Sequence, residues 1–481
     1  MTTKKKRKEF ITAFSIIFIL IYLLGAVTYL LPQAEFVGDA IVNGSGVVRS
    51  TLPDVLLAPI QGFTDAIDVC VFVLILGGFL AIIAKSKALE TGIQVLVKKL
   101  KGNELALIPI LMFIFSVGGT TYGMLEETVG FYALLAAAMV VAGMDTVVSS
   151  AIVLLGAGSG VLGSTINPFA VGAAVSALPE SISVNQGIII ATGTILWLSS
   201  LLISILFVMN YAKKVIKKKG STILSLRERK AMEMEYGSQA AKKEENVKLT
   251  KKQVITLILF ALTFVIMIIG FIPWEDLGVT FFNGFTGWLT GSPLGAWYFA
   301  EASVWFLIMS VVIGLVNRTG EKQFVDTFID GADDMVGVIL IIAIARGASV
   351  LMRSTYLDNF IIYNAAEVLK VVPAGIFAPL NYLLHVVLSV LVPSSSALAT
   401  LSAPIIGPLA NQIGYSTEVS VMTMVAANGL VNLITPTCGA IMGGLALAKV
   451  EYTTWVKWAG KVVLTIALAN IVILTILMIL L

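Results

Sequence analysis

Reactive and metal-binding side chains are scarce in this chain. Its 481 residues hold one histidine, His385, and two cysteines, Cys70 and Cys438. Both cysteines lie in apolar runs, where a thiol is ordinarily a small buried hydrophobe. No CxxC or Cys/His cluster is spaced for zinc or haem, so neither a metal nor a cofactor is expected. Charge is also sparse, 13% of residues against 58% hydrophobic. That balance excludes an ordinary soluble enzyme and places the chain among polytopic membrane proteins. The net charge of +3 is carried in loops. It points to no nucleic-acid partner, leaving the lipid bilayer and a small molecule. The lone histidine offers a proton relay, with a packed helix residue as the simpler expectation.

What the chain has instead is apolar sequence, interrupted at a few places. The central interruption lies in residues 105–142, where Gly118, Gly119, Thr120, Thr121, Tyr122 and Gly123 are followed by Glu126 and Glu127. The run before it, residues 105–117, is 13 residues long. As a helix it reaches about 20 Å, whereas a bilayer core of about 30 Å needs about 20 residues. Backbone that turns at that depth is tolerated only where protein buries it or it lines a wet cavity. The stretch reads as a re-entrant helical hairpin with its tip near mid-membrane. Two carboxylates beside such a tip mark a functional site.

The basic cluster Lys4-Lys5-Lys6-Arg7-Lys8 precedes an apolar segment, residues 10–31, too long for a signal peptide's core and without a small-residue cleavage site. A retained first helix with a cytoplasmic N-terminus is expected. One long helix is expected over residues 56–84, then a short amphipathic piece at 91–100, then the hairpin. Residues 147–177 are apolar but broken at Gly163, Ser164, Thr165, Ile166, Asn167 and Pro168, and so read as an interrupted transmembrane helix. Residues 213–252 are strongly charged and form a cytoplasmic linker. An extra crossing and an aromatic outer loop occupy residues 253–298.

The first part then recurs. Gly62 matches Gly331 and Gly78 matches Gly347, each 269 positions on; Gly143 matches Gly414 at 271, and Asn167-Pro168 matches Thr435-Pro436 at 268. A second hairpin, residues 376–412, turns at Pro393, Ser394, Ser395 and Ser396, and a second interrupted helix, 419–449, breaks at residues 432–437. The expected architecture is therefore an all-α polytopic membrane protein of two inverted-topology repeats, residues 1–212 and 299–481. Each contains a re-entrant helical hairpin and a broken transmembrane helix, and the substrate site lies at their interface.

Broken helix ends present unpaired backbone groups, N-termini favouring anions and C-terminal carbonyls favouring cations. Thr120, Thr121, Ser394, Ser395 and Ser396 add hydroxyls at the tips; Ser164, Thr165, Asn167, Asn428, Asn432, Thr435 and Thr437 add polar groups at the breaks. Each hydroxyl alone has capping its own helix as the simpler role. Together with Gly119 and Gly123 they form a cage able to hold a carboxylate. Glu126 or Glu127 reads as the counter-charge for a cationic or amino-bearing substrate, or as a proton carrier. The competing structural reading pairs one of them with Arg346 or a helix N-terminus, and the sequence leaves open which faces the cavity. Tyr122 either meets the ligand or packs. Asp65, Asp68, Asp330, Asp333 and Asp334 are expected near helix starts, as caps or solvated groups.

The segments Lys101-Gly102-Asn103-Glu104, Phe115-Ser116-Val117-Gly118-Gly119, Tyr122-Gly123-Met124 and Glu126-Glu127 resemble the YfcC/ArcD-type basic amino acid antiporter family of the ion transporter superfamily, related to the DcuC-type dicarboxylate carriers. Ser164 through Phe169, Pro393 through Pro404 and Thr435-Pro436-Thr437 are similar to its other motifs, and the likeness covers nearly everything outside residues 213–252. The resemblance implies a bacterial inner-membrane secondary transporter, a homodimer with scaffold and transport domains and an elevator-type movement. It implies arginine/ornithine antiport, or else proton- or sodium-coupled carriage of dicarboxylates or small peptides. The Ser-Asn-Thr signature of sodium-coupled relatives is absent in literal form. An intramembrane protease or a channel is the reading from another class; only His385 and the tip serines would serve the former.

Overall fold

The computed structural model describes residues 13–38, 40–89, 91, 92, 95, 103–218, 221–241, 248–275 and 278–481. The expectations for the Lys4–Lys8 cluster, the start of the first helix, most of the amphipathic piece at 91–100 and part of the charged linker fall outside those residues. Nineteen α-helices run through the described residues, with one two-stranded ribbon, Phe36–Val37 against Ala40–Ile41. Among the described residues, eight helices are long and apolar enough to cross a membrane. The protein is an all-α polytopic membrane protein.

After α1 (Ala13–Val27), Thr51 and Asp54 cap each other's backbone N–H groups and start α2 (Leu52–Asp65). The chain leaves helical geometry at Ala66 and resumes as α3 (Ile67–Lys85). The single helix expected over residues 56–84 is thus two. Asp65, the last residue of α2, is bound by two arginines of a later helix, and the turn at Ala66 separates this polar end from the apolar run behind it. The first hairpin is α4 (Leu107–Tyr122) and α5 (Phe131–Val141). The first broken helix is α6 (Thr146–Leu162), an irregular stretch, a π turn (Pro168–Gly172) and the short α7 (Ala173–Ser176). Then come α8 (Gln186–Lys217), α9 (Leu226–Ala241), α10 (Lys251–Phe271), α11 (Phe299–Asn317), α12 (Glu321–Asp333), α13 (Val336–Ser354) and α14 (Leu357–Leu369). The second hairpin is α15 (Ala374–Leu391) and α16 (Ser395–Gln412), the second broken helix α17 (Thr417–Val431) and α18 (Gly439–Leu447), and α19 (Tyr452–Leu480) closes the chain.

These helices pack as two bundles. In the first, α2 lies on α13 and α3 on α12, with α1, α10 and α11 around them. Glycines set both crossings. A Cβ on Gly62 would sit 2.3 Å from the Ala343 carbonyl oxygen, and one on Gly347 2.7 Å from that of Ala58. Gly77 and Gly331 meet in the same way, at 2.4 and 2.5 Å from each other's carbonyl oxygens. Such contacts let backbones approach where apolar burial gives no net drive between helices in lipid. The second bundle is built on α6 and α17. Every residue of α6 is buried, and so is every residue of α17 except Glu418. The two cross where both helices stop, Gly429 against the Leu162 backbone and Gly158 against Leu433. The hairpins, α8 and α19 pack around this pair.

The charged stretch is more structured than a linker. Tyr236 of α9 is buried against Ala136 and Ala137 of α5, and its hydroxyl donates to the Leu447 carbonyl at 2.6 Å. Glu228 accepts from Glu451 N at 2.8 Å. The aspartate expectation also needs correction. Asp65 and Asp333 close their helices instead of opening them.

Candidate functional site

The two hairpin tips turn by different means. At the first, α4 continues through the glycine-rich tract and stops only at Gly123, whose φ of +82° is the left-handed cap that favours glycine. A side chain there would also strike the Asn167 amide, 2.7 Å away. Gly118 to Thr121 therefore belong to the helix, not to the turn. Their small size serves contact with α6: a Cβ on Gly119 would lie 2.1 Å from the Ala157 carbonyl oxygen, and one on Gly160 2.0 Å from that of Ser116. A short 3-10 turn, Glu126–Gly130, follows the tip.

The polar residues at the first break fasten this tip. Thr120 Oγ1 donates to the Gly163 carbonyl at 2.8 Å, and Thr165 N to the Thr120 carbonyl at 2.9 Å. Thr121 bonds its own helix through the Val117 carbonyl at 2.7 Å, and Ser164 does likewise through Val161. Asn167 caps the π turn, accepting from Phe169 N at 2.9 Å while donating to Ser164 at 2.9 Å. The second tip is held by side-chain amides. Asn432 donates to the Pro393 carbonyl at 2.8 Å, Ser395 donates to Asn428 Oδ1 at 2.9 Å, and Thr437 donates to the Val390 carbonyl at 2.7 Å. Thr435 lies behind them, 2.7 Å from the Thr437 hydroxyl. Ser394 caps α16.

Between the tips is a cavity of about 140 Å³, room for about five waters at ~30 Å³ each, or for a small organic ion. Of the residues singled out from the sequence, Tyr122, Gly123, Glu126, Glu127, Asn167, Ser394, Ser395, Ser396, Asn432 and Thr437 line it. Gly119, Thr120, Thr121, Ser164, Thr165, Asn428 and Thr435 do not; they brace the tips. The structure adds lining residues that the sequence did not assign to the site: Val69, Phe169, Phe299, Ile342 and, most consequentially, Arg346. The sequence offers Arg346 as a structural partner for the glutamates; its ion-pair partner is instead Asp65, with Nε 3.3 Å from the carboxylate. No sequence signal joins positions so far apart.

The two glutamates differ. Glu127 is 3% exposed and turns back to accept from Leu125 N at 3.1 Å, helping to hold the tip. Glu126 is half-buried and has no ion pair within 4 Å among the described residues. Tyr122 stacks on Phe271, ring centroids 5.2 Å apart, so it packs while also bordering the cavity. Its hydroxyl and Asn432 Oδ1 are buried without a hydrogen-bond partner among the described residues. His385 lies elsewhere, fully buried between the Asn381 carbonyl (2.8 Å) and Ser402 Oγ (2.6 Å), where it ties α15 to α16.

Residues 10–479 match the family described as the C4-dicarboxylate anaerobic carrier, DcuC. An uncharacterized protein of Haemophilus influenzae is 29% identical over 408 residues, covering 85% of this chain and 74% of its own. A putative basic amino acid antiporter of Escherichia coli, YfcC, is 25% identical over 425 residues, covering 84% and 77%. Among solved structures, Neisseria gonorrhoeae MtrF, described as one of a class of antimetabolite efflux pumps, aligns over 98% of this chain and 96% of its own at 18% identity and a TM-score of 0.47. The Alcanivorax borkumensis YdaH transporter aligns over 97% and 98% at 16% identity and a TM-score of 0.47.

Proposed function

We propose, from the premise that this chain belongs to the C4-dicarboxylate anaerobic carrier family and is a multi-pass membrane transporter rather than an enzyme, that it exchanges basic amino acids such as arginine and ornithine. The observation that carries this reading is the cavity between the tips, which Glu126 and Glu127 both line. Two carboxylates suit a cationic side chain and repel a dianion. Glu126 is the counter-charge, because Glu127 is engaged with the tip backbone. The Ser394–Ser396 tip and the N-terminus of α16 supply donors for the substrate carboxylate. The name borne by the Escherichia coli relative agrees with this assignment.

The transport cycle follows from the two bundles. The one holding both hairpins and both broken helices carries the substrate, and the other is the scaffold against which it slides, an elevator-type movement. The reciprocal packing of α2 on α13 and α3 on α12 supports a two-fold relation between inverted repeats, since that operation turns either contact into the other. The charged stretch at 213–252 faces the cytoplasm, with the N-terminus, in a bacterial inner membrane, and the protein works as a homodimer.

The second reading, carriage of a dicarboxylate or small peptide driven by protons or sodium, is favoured by the family description and by Arg346 in the cavity wall. Proteoliposomes separate the two. Arginine uptake should rise at least tenfold when ornithine is loaded inside, and Glu126→Gln should lower it by ~10–100-fold, the scale of one lost charge-assisted hydrogen bond. Arginine uptake indifferent to internal ornithine, or succinate uptake following a proton or sodium gradient, sinks the exchange reading.

A further inference from the structure

Arg346 lies on α13, in the bundle that carries neither hairpin, yet it borders the cavity between the hairpin tips. It is the only cationic side chain there among the described residues. Its place is set closely by the crossing of α2 and α13, where Gly347, the next residue, meets the backbone at Ala58 and Gly62 meets that at Ala343. Three residues beyond Gly62, Asp65 takes the Arg346 Nε edge at 3.3 Å. Asp65 also binds Arg353 Nη2, at 2.8 Å. One carboxylate is thus shared by two guanidinium groups, and the trio keeps a formal charge of +1. Asp65 orients Arg346 without neutralising it.

A guanidinium has five N–H donors in a planar fork. Asp65 faces the Nε of Arg346, and among the described residues no protein acceptor is hydrogen-bonded to its two terminal nitrogens. Those nitrogens form the edge that grips a carboxylate through two parallel bonds. On the opposite bundle, Glu126 and Glu127 border the same cavity.

We propose that Arg346 is the carboxylate receptor of the site, that Asp65 is its positioning residue, and that the substrate must therefore carry an anionic group together with its cationic one. This rests on reading the cavity as the substrate site, and it deepens that reading by separating amino acids from the amines they give on decarboxylation. Arginine and ornithine fit; agmatine and putrescine lack the group Arg346 addresses. The substrate then spans the cavity, its cation at Glu126 beside the first tip and its carboxylate between the donors of the second tip and Arg346 on the scaffold side.

The test uses the purified full-length protein, with thermal shift and competition for uptake in proteoliposomes. The panel is arginine, agmatine, ornithine, putrescine, leucine and succinate. Agmatine should bind at least tenfold more weakly than arginine, and putrescine than ornithine. Arg346→Gln should weaken arginine at least tenfold and bring the arginine-to-agmatine ratio near one, while Arg346→Lys, which keeps the charge but not the fork, should fall between. Asp65→Asn should raise the KM for arginine several-fold, leaving kcat and the agmatine affinity nearly unchanged, a split that a purely structural residue would not produce. The wild-type comparison of arginine with agmatine stands even if a variant fails to fold. Agmatine equalling arginine, an Arg346→Gln ratio like wild type, or no response to any carboxylate-bearing member overturns the inference. Stabilisation by leucine instead of arginine, abolished by Arg346→Gln, would remove the basic amino acid reading and leave the carboxylate receptor standing, whereas stabilisation by succinate instead of arginine overturns the requirement for a cationic group.

Discussion

The two hairpins have the same outline but are fastened differently. The first tip is held by backbone on backbone: glycines at positions 119 and 160 bring α4 onto α6, and Thr120 and Thr165 exchange bonds with main-chain groups. The second is held by side chains, with Asn428, Asn432 and Thr437 reaching across to the Pro393 and Val390 carbonyls. Charge is divided as unevenly. The first tip brings two carboxylates to the cavity and the second only hydroxyls. A repeated architecture has thus been given two chemistries, which suits a ligand whose own ends differ. It also predicts that equivalent damage at the two tips has unequal consequences.

The largest effect is expected at the first crossing. Gly119→Val places branched carbon where a carbonyl oxygen lies 2.1 Å from the first added atom, and backbone cannot yield as a side-chain end can. The variant should lose more than about 4 kcal/mol, the range of severe overpacking, and fail to give a monodisperse peak on size-exclusion chromatography in detergent. Gly143→Ala is the control. Gly143 has a φ of +81° but open space around it, so it should cost only about 1 kcal/mol and leave the elution profile intact. Equal behaviour of the two would mean that the α4–α6 contact is not what seats the first tip.

How far this asymmetry can be read from sequence depends on the interaction involved. The broken helices and the second tip are legible because Asn167-Pro168, Pro393 with its serines and the Asn432–Thr437 stretch each combine a proline with polar side chains that compete for backbone hydrogen bonds inside an apolar run. Gly118-Gly119 is ambiguous. Glycine permits a turn and also permits close approach, and only the partner helix decides between them. The split of α2 from α3 and the Asp65–Arg346–Arg353 trio are illegible for a related reason: an ion pair between positions so distant leaves no periodicity. Nor does a lysine-rich composition reveal that Tyr236 of the charged stretch reaches the Leu447 carbonyl.

A middle-sized effect is expected at the second tip. Asn432→Ala removes the 2.8 Å bond to Pro393 and the 3.1 Å bond to Asn428 and leaves the half-buried Pro393 carbonyl with a single weaker donor, Asn428 at 3.3 Å. The loss should be about 1–3 kcal/mol. The protein should still fold, with a melting temperature several degrees lower and a raised KM, since Asn432 also borders the cavity. A loss as severe as that of Gly119→Val would erase the distinction between the two modes of fastening.

The smallest effect sharpens the chemical half of the comparison. Ser394, Ser395 and Ser396 all line the cavity, but Ser395 is engaged with Asn428 and Ser394 caps α16. Ser396 is bound only through a long 3.4 Å contact with Ser394, which makes its hydroxyl the freest of the three. Ser396→Ala should leave the melting temperature within about a degree. It should weaken the substrate by no more than one neutral hydrogen bond, about 0.5–1.5 kcal/mol or roughly 2–13-fold in KM. Ser395→Ala should do the reverse, lowering the melting temperature by releasing the Asn428 amide more than it alters KM. If the two serines exchanged these phenotypes, the substrate would be addressing the tip through the residue that also anchors it, and the second hairpin would be no more a passive donor surface than the first.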